Sequence, residues 1–307
     1  MPKATPDSRP TLLQGLITAA HGRHYMVELA DGTLRTCFPR GKKAGAAVGD
    51  KVLISPQGQR EGTIETILER RNLLYRSDEF RTKQFAANVD QLLFVVAVEP
   101  AFSDDLLGRA LVAAASANIE PLIILNKVDL DHGASAARER LRYPAHLGFR
   151  VLDLSARDVD AARRQLLPSL EGRTSLLLGQ SGMGKSTLLN ALIPEARAHT
   201  QEHSQALGAG RHTTTSTRLY HLPDHLGDII DSPGFQAFGL YHLGMDDIER
   251  GFPEIRAARE HCRFYNCTHR HEPGCGVLEA VKRGDIPVAR HALYERILAE
   301  NEARNHY

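Results

Sequence analysis

The stretch TSLLLGQSGMGKSTLLNALIP, residues 174–194, confines this chain to few folds. Its middle, GQSGMGKST at 179–187, fits the G-x-x-x-x-G-K-[ST] pattern of a phosphate-binding loop. An apolar strand precedes it and a helix follows, which is the context the motif needs. Gly179, Gly182 and Gly184 let backbone N–H groups turn inward around an anion. Lys185 would reach the β and γ phosphates, and the Ser186 hydroxyl would bind Mg²⁺. Gln180, Ser181, Met183 and Thr187 complete the cradle, on a helix whose positive dipole end faces the phosphates.

The order of the other motifs is unusual. NKVD, at 126–129, lies upstream of the loop, at the end of the apolar run PLIIL. Ligands bind at the carboxyl ends of parallel strands. There Asp129 can accept hydrogen bonds from the guanine ring N–H and its exocyclic amine, a pair that adenine lacks. A site built this way discriminates by roughly four or five decades. Lys127 and Val128 would lie along the base, and Asn126 would tie this loop to the phosphate loop. Ser155 and Ala156, again at a strand end, would offer a backbone N–H to the guanine carbonyl.

DSPG at 231–234 closes the set. Asp231 would hold Mg²⁺ through water, and the Gly234 N–H would sense the γ-phosphate. Between loop and DSPG runs GAGRHTTTSTRLY, in which Thr213, Thr214 or Thr215 offers a second Mg²⁺ ligand, with Thr214 preferred. The residue after DSPG is Phe235, which cannot orient an attacking water as a glutamine would; His212 is the candidate substitute. Every part of a GTP site is present in permuted order. Strand ends can converge in space whatever their order along the chain, so a circularly permuted domain is expected.

The surrounding chain divides into three: an N-terminal segment (1–75), the nucleotide domain (76–240) and a tail (241–307). Within 90–235, buried-strand runs such as DQLLFVVAVE alternate with helical stretches, which argues a doubly wound α/β sheet. Within 12–68 five short apolar runs occur, with Asp31-Gly32 as a hairpin signal between the second and third. That pattern suits an oligonucleotide/oligosaccharide-binding (OB) barrel, with an SH3-like barrel as the alternative. Residues 1–75 hold 11 Lys and Arg against 7 Asp and Glu, a mildly basic front that permits RNA contact. The opening MPKATPDSRP lacks the apolar stretch of a signal peptide, and LLFVVAV at 92–98 is too short to cross a bilayer. A cytoplasmic monomer without membrane contact is expected.

Three of the four cysteines crowd into CRFYNCTHRHEPGC. Cys262, Cys267, His269 and Cys275 would fill a tetrahedral zinc shell with no position left for chemistry. His261 and His271 compete on spacing alone, and disulfides are the alternative. Cys37 reads as a small buried apolar residue. Amphipathic helices flank the cluster.

This order of motifs, with a five-stranded front barrel and a Cys/His tail, resembles the RsgA/YjeQ family of ribosome-assembly GTPases over roughly residues 10–300. The resemblance implies GTP hydrolysis, one structural zinc held by those four ligands, and slow turnover until a small ribosomal subunit is bound. It also implies rRNA contact by barrel and tail in late maturation of that subunit. Two rivals stand beside it: a phosphate-loop kinase or ATPase, and a GTP-switched RNA-binding module with incidental turnover.

Overall fold

The computed structural model describes residues 11–41, 45–77, 82–194, 196, 216–232 and 240–305. The five short runs at the front form β1 (Leu13–His21), β2 (His24–Leu29), β3 (Leu34–Pro39), β4 (Lys51–Gln57) and β5 (Glu61–Ile67). They pair in the order β1-β2-β3-β5-β4, and β4 returns to β1, so the sheet closes on itself. The β3–β5 pair is parallel and the others antiparallel. This is the OB arrangement, and it decides against the SH3-like alternative. Inward positions alternate with outward ones, placing Ile17, Val27, Cys37, Val52 and Ile54 in the barrel core with no exposed surface. Burial pushes the Cys37 thiol up to about 11, as expected of an inert core residue.

The hairpin β6 (Leu73–Ser77) with β7 (Thr82–Ala87) follows as a separate two-stranded sheet. Asp50, fully buried at the barrel floor, receives both Arg70 Nε and Nη2 at 2.7 Å, plus the Ala47 N–H at 2.7 Å. Asn88 donates from Nδ2 to Gly49 O at 2.9 Å, and the Ala87 N–H reaches Val48 O at 2.9 Å. The barrel therefore meets the next domain through satisfied polar contacts.

The central domain comprises β8 (Gln91–Ala97), α1 (Asp104–Ser116), β9 (Glu120–Asn126), α2 (Ala134–His146) and β10 (Arg150–Asp153). Then come α3 (Val159–Leu170), β11 (Thr174–Leu178), α4 (Lys185–Leu192), β12 (Arg218–His221) and β13 (Asp228–Asp231). Strand order is β10-β9-β8-β11-β13-β12, parallel throughout except β12 against β13. All seven residues of β8 are buried, as a central parallel strand covered on both faces must be. Strand β12 lies at the edge, and there Ala19 of β1 pairs with Arg218.

The tail packs α5 (Met245–Arg250), α6 (Pro253–Arg259), α7 (Gly276–Arg283) and α8 (Val288–Asn305) against the central domain. Gly251 lies so close to α1 that an added Cβ would meet Val112 Cα at 2.4 Å. Arg109 of α1 binds Glu300 of α8 through two hydrogen bonds, 2.8 and 2.6 Å. One apolar cluster runs from Ile17 in the barrel through Leu177 to Leu298 in the tail. No helix among the described residues is long and apolar enough to cross a membrane.

A titratable bridge joins barrel and nucleotide domain. His221 of β12 reaches Asp228 with Nδ1 at 2.7 Å and Glu28 of β2 with Nε2 at 3.0 Å, while the His225 ring lies 6.1 Å away. The Asp228 contact first, then Glu28, raises its pKa from 6.5 to about 9. The folded state therefore holds a proton that the unfolded chain releases sooner. Its stabilising contribution is complete below pH 6.5 and disappears as pH rises through about 9. Unfolding midpoints of the wild type and His221→Gln, measured from pH 6 to 10, should differ most at the acid end and converge above about 9. A gap independent of pH would exclude a charged bridge.

Candidate nucleotide site and metal centre

The permuted motifs meet at one edge of the sheet. Strands β9, β10, β11 and β13 are parallel, so NKVD, Ser155-Ala156, the phosphate loop and Asp231 all emerge at their carboxyl ends. Asn126 is the hub, with 1% of its surface exposed. Its Nδ2 donates to Met183 O at 2.9 Å, and its Oδ1 accepts from the N–H groups of Lys127 at 2.8 Å and Ala156 at 2.9 Å. One side chain thus fixes three motifs separated by up to 57 residues.

That closeness dictates two of the loop glycines. Gly184 has φ of +89°, and a Cβ there would meet Asn126 Nδ2 at 2.3 Å. Gly179 has φ of +147°, and its Cβ would meet Val95 O at 2.3 Å. Neither position can take another residue without moving a neighbour. Gly184 caps α4 without any side-chain bond, and Ser186 and Thr187 are exposed on the first turn. Free N–H groups and a hydroxyl are therefore presented together. Met183 anchors the loop from below, with 1% exposed.

Lys185 folds back on the loop, donating from Nζ to Gly179 O at 2.6 Å and Gln180 O at 3.0 Å. Burial lowers its pKa, and buried Asp231 opposes that effect. Gly182 and Ser181 are exposed at the loop's tip. Gln180 Oε1 accepts from the Ser103 N–H at 2.7 Å, and Lys127, with φ of +63°, donates from Nζ to Glu99 O at 2.7 Å. Glu99 and Ser103 had no signal in the sequence beyond a helix-capping serine; only the β8–α1 turn's approach to the loop makes them neighbours.

Asp129 stands open at the rim, its side chain 37% exposed, with Arg157 Nη1 at 3.9 Å. A hydrogen bond from Ser155, helped by Arg157 and Lys127, holds its carboxyl below the usual range. It stays ionised at neutral pH, as an acceptor of two N–H groups must be. The Val128 N–H reaches Leu154 O at 3.4 Å, which aligns the two base-side loops. His212, Thr213, Thr214, Thr215, Gly234 and Phe235 lie outside the described residues.

The Cys/His cluster is assembled in the tail. Ligand atoms of Cys262, Cys267, His269 and Cys275 all lie within 4.8 Å of one another, and His269 is fully buried. His269 Nδ1 is 3.5 Å from both Cys262 Sγ and Cys275 Sγ, which are 3.9 Å apart. A tetrahedral zinc with Zn–S of about 2.3 Å and Zn–N of about 2.0 Å has edges of about 3.5 and 3.8 Å. The edges among Cys262, His269 and Cys275 fit that ion, and Cys267 lies within 4.8 Å of them as the fourth ligand. His261 and His271 are exposed and stand apart from it, and the cysteines are free of disulfides. Glu272 gathers the N–H groups of Thr268, Arg270 and His271 at 2.7, 3.1 and 3.2 Å, shaping the turn that presents His269. Against the cost of burial, the Thr268 hydroxyl first, then the backbone N–H groups of Thr268 and His271, hold its carboxyl far below the usual range.

Comparison with known proteins gives the family. The family model for RsgA GTPase matches residues 67–241. The Small ribosomal subunit biogenesis GTPase RsgA of Bordetella pertussis is 67% identical over 96% of this chain and 98% of its own. The protein of that name from Burkholderia pseudomallei strain K96243 is 57% identical over 94% and 92%. The chain belongs to the RsgA GTPase family. Among solved structures, YjeQ from Thermotoga maritima is similar with a TM-score of 0.70 and 30% identity, over 95% of this chain and 99% of that one. YloQ, described as a circularly permuted GTPase, follows at 0.67 and 28%, over 98% and 99%. The expected permuted motif order and the barrel, central α/β domain and helical tail therefore hold for this chain.

Proposed function

We propose that this chain hydrolyses GTP to GDP and phosphate in the cytoplasm, acting as a monomer on the small ribosomal subunit in late maturation, with hydrolysis driving release. The Asn126 hub carries the reading, since it couples a guanine-type base reader to a phosphate loop in one rigid unit. A kinase or ATPase would have no use for an ionised Asp129 at the base rim. The relatives named for small-subunit biogenesis supply the partner.

Each part has a task in this reading. Lys185 pairs with the β and γ phosphates, and Asp129 with Ser155 and Ala156 reads guanine. Ser186, Asp231 and Thr214 would hold Mg²⁺, which neutralises the phosphate charge, while Gly234 senses the γ-phosphate and His212 orients water. One zinc on Cys262, Cys267, His269 and Cys275 braces the tail. Units 1–75, 76–240 and 241–307 serve as RNA-binding barrel, GTPase and second ribosome contact.

The barrel offers a suitable surface. His21, His24 and Phe38 stand side by side across β1, β2 and β3, with ring centroids 5.3 and 6.1 Å apart, and Phe38 is 43% exposed. Arg23 and Arg60 are exposed on the same barrel, and exposed Arg40 is paired with Glu65. OB barrels take oligonucleotides on the face of strands 2 and 3, where bases stack on rings and phosphates meet cations.

GTP turnover with and without purified small subunits tests the function. Subunits should stimulate it at least about tenfold, or about 1.4 kcal/mol off the barrier. Binding should be tighter with a non-hydrolysable GTP analogue than with GDP and should weaken as salt rises. Equal affinity in both nucleotide states, or preference for large subunits, would refute the assignment. Subunit binding that depends on GTP but leaves single-turnover rates unchanged would select the switched RNA-binding module instead.

A further inference from the structure

Beneath the Cys/His cluster lies a carboxylate that neither the nucleotide chemistry nor the ligand set uses. Glu249, on α5, has 1% of its surface exposed. Its Oε2 accepts from Arg259 Nη1 at 2.7 Å, and its Oε1 accepts from the Tyr294 hydroxyl at 3.3 Å. The same Oε1 faces His269 Nε2 at 3.4 Å, a contact slightly longer than a well-formed hydrogen bond. That nitrogen has no other partner and no access to water.

Tautomer chemistry makes this contact consequential. A neutral imidazole carries one N–H and one lone pair. His269 Nδ1 faces two of the sulfurs at 3.5 Å, so binding a metal there requires the lone pair on Nδ1 and the proton on Nε2. The proton must then point at Glu249 Oε1, because nothing else lies within reach. We propose that Glu249 is a positioning residue for the metal centre: it holds His269 in the metal-binding tautomer and ring orientation. Outer carboxylates of this kind raise the basicity of the ligating imidazole and fix its angle.

Its place in the chain gives the contact a second consequence. Helix α5 is the first helix after DSPG among the described residues, and Gly251 at its end is seated on Val112 of α1. Through Glu249, the metal centre is anchored to the helix that continues the nucleotide-sensing strand, not merely to its own loop.

Zinc content and chelator competition on the full chain test this. The wild type should carry one zinc. Glu249→Leu should lose zinc affinity about 10- to 100-fold, the range seen when such outer partners are removed. Glu249→Gln keeps an amide oxygen to accept the Nε2 proton and should fall between the two. Arg259→Gln breaks the ion pair but leaves the carboxylate, and should bind zinc nearly as the wild type does. Cobalt-substituted protein supplies a spectroscopic check, since a tilted imidazole shifts the ligand-field bands of a tetrahedral Cys₃His site. Equal affinity of Glu249→Leu and the wild type would overturn the proposal, as would Arg259→Gln losing as much affinity as Glu249→Leu. Should Glu249→Leu fail to fold, Glu249→Gln must still bind more weakly than Arg259→Gln; equality overturns it too. A wild type without zinc would remove the metal assignment along with this inference.

Discussion

Asp129→Asn should transfer nucleotide preference from GTP to xanthosine triphosphate. In the proposed reading the native carboxylate accepts two N–H groups of guanine, and its Ser155 and Arg157 contacts keep it ionised. The amide presents one acceptor and one donor, so the guanine amine meets a donor and is rejected. Xanthine carries a carbonyl at that position and meets the donor correctly. The relative preference should move by about four decades, the scale on which sites with buried polar readers reject mismatched partners. Competition binding with GTP, xanthosine triphosphate and ATP measures it. A wild type that takes ATP as readily as GTP would discard the base-reading assignment altogether.

Lys185→Ala should lower turnover by at least about 10²- to 10³-fold, the loss typical when one charge-stabilising donor is taken from a transition state. Among the described residues, the hydrogen bonds of Lys185 Nζ are to the Gly179 and Gln180 carbonyls of the loop, with Asp231 near enough to act on its charge. Unfolding without nucleotide should therefore change little. Ser186→Ala should behave alike, because its side chain is exposed and supports no core packing. Turnover unchanged in both variants would remove the loop from the reaction.

The chemistry of the site was legible because it depends on short local patterns. A phosphate loop, NKVD, DSPG and a Cys/His spacing are each written within fourteen or fewer consecutive residues. The five barrel strands were legible too, through alternation and the Asp31-Gly32 turn; their closure order was not, since an OB and an SH3-like barrel share that alternation. What stayed hidden depends on contacts far apart in sequence. The β6–β7 hairpin, reading LLYRS and TKQFAA, lacks clean alternation and is held by pairing rather than pattern. Glu249 looks like one more acidic residue on a helix surface until Tyr294, 45 positions later, closes over it. Gly184 reads as a phosphate-loop glycine from the motif alone; that the Asn126 amide would stand 2.3 Å from a Cβ there, on top of a φ of +89°, is a contact the sequence does not reveal.

The single bridge between Ala19 and Arg218 has a meaning beyond domain contact. Strand β12 is the last strand of the central sheet, and an uncovered last strand offers unpaired N–H and C=O groups to any passing chain. Here the barrel lies against that border, with the Ala20 N–H reaching Thr217 O at 3.4 Å and Glu28 gripping His221. The front barrel is thus also a shield against self-association. A chain shortened to begin after the barrel would carry an open β12 border, and its tendency to clump would rise. Change in the front module is therefore constrained along its inner flank by the need to keep a sheet from growing.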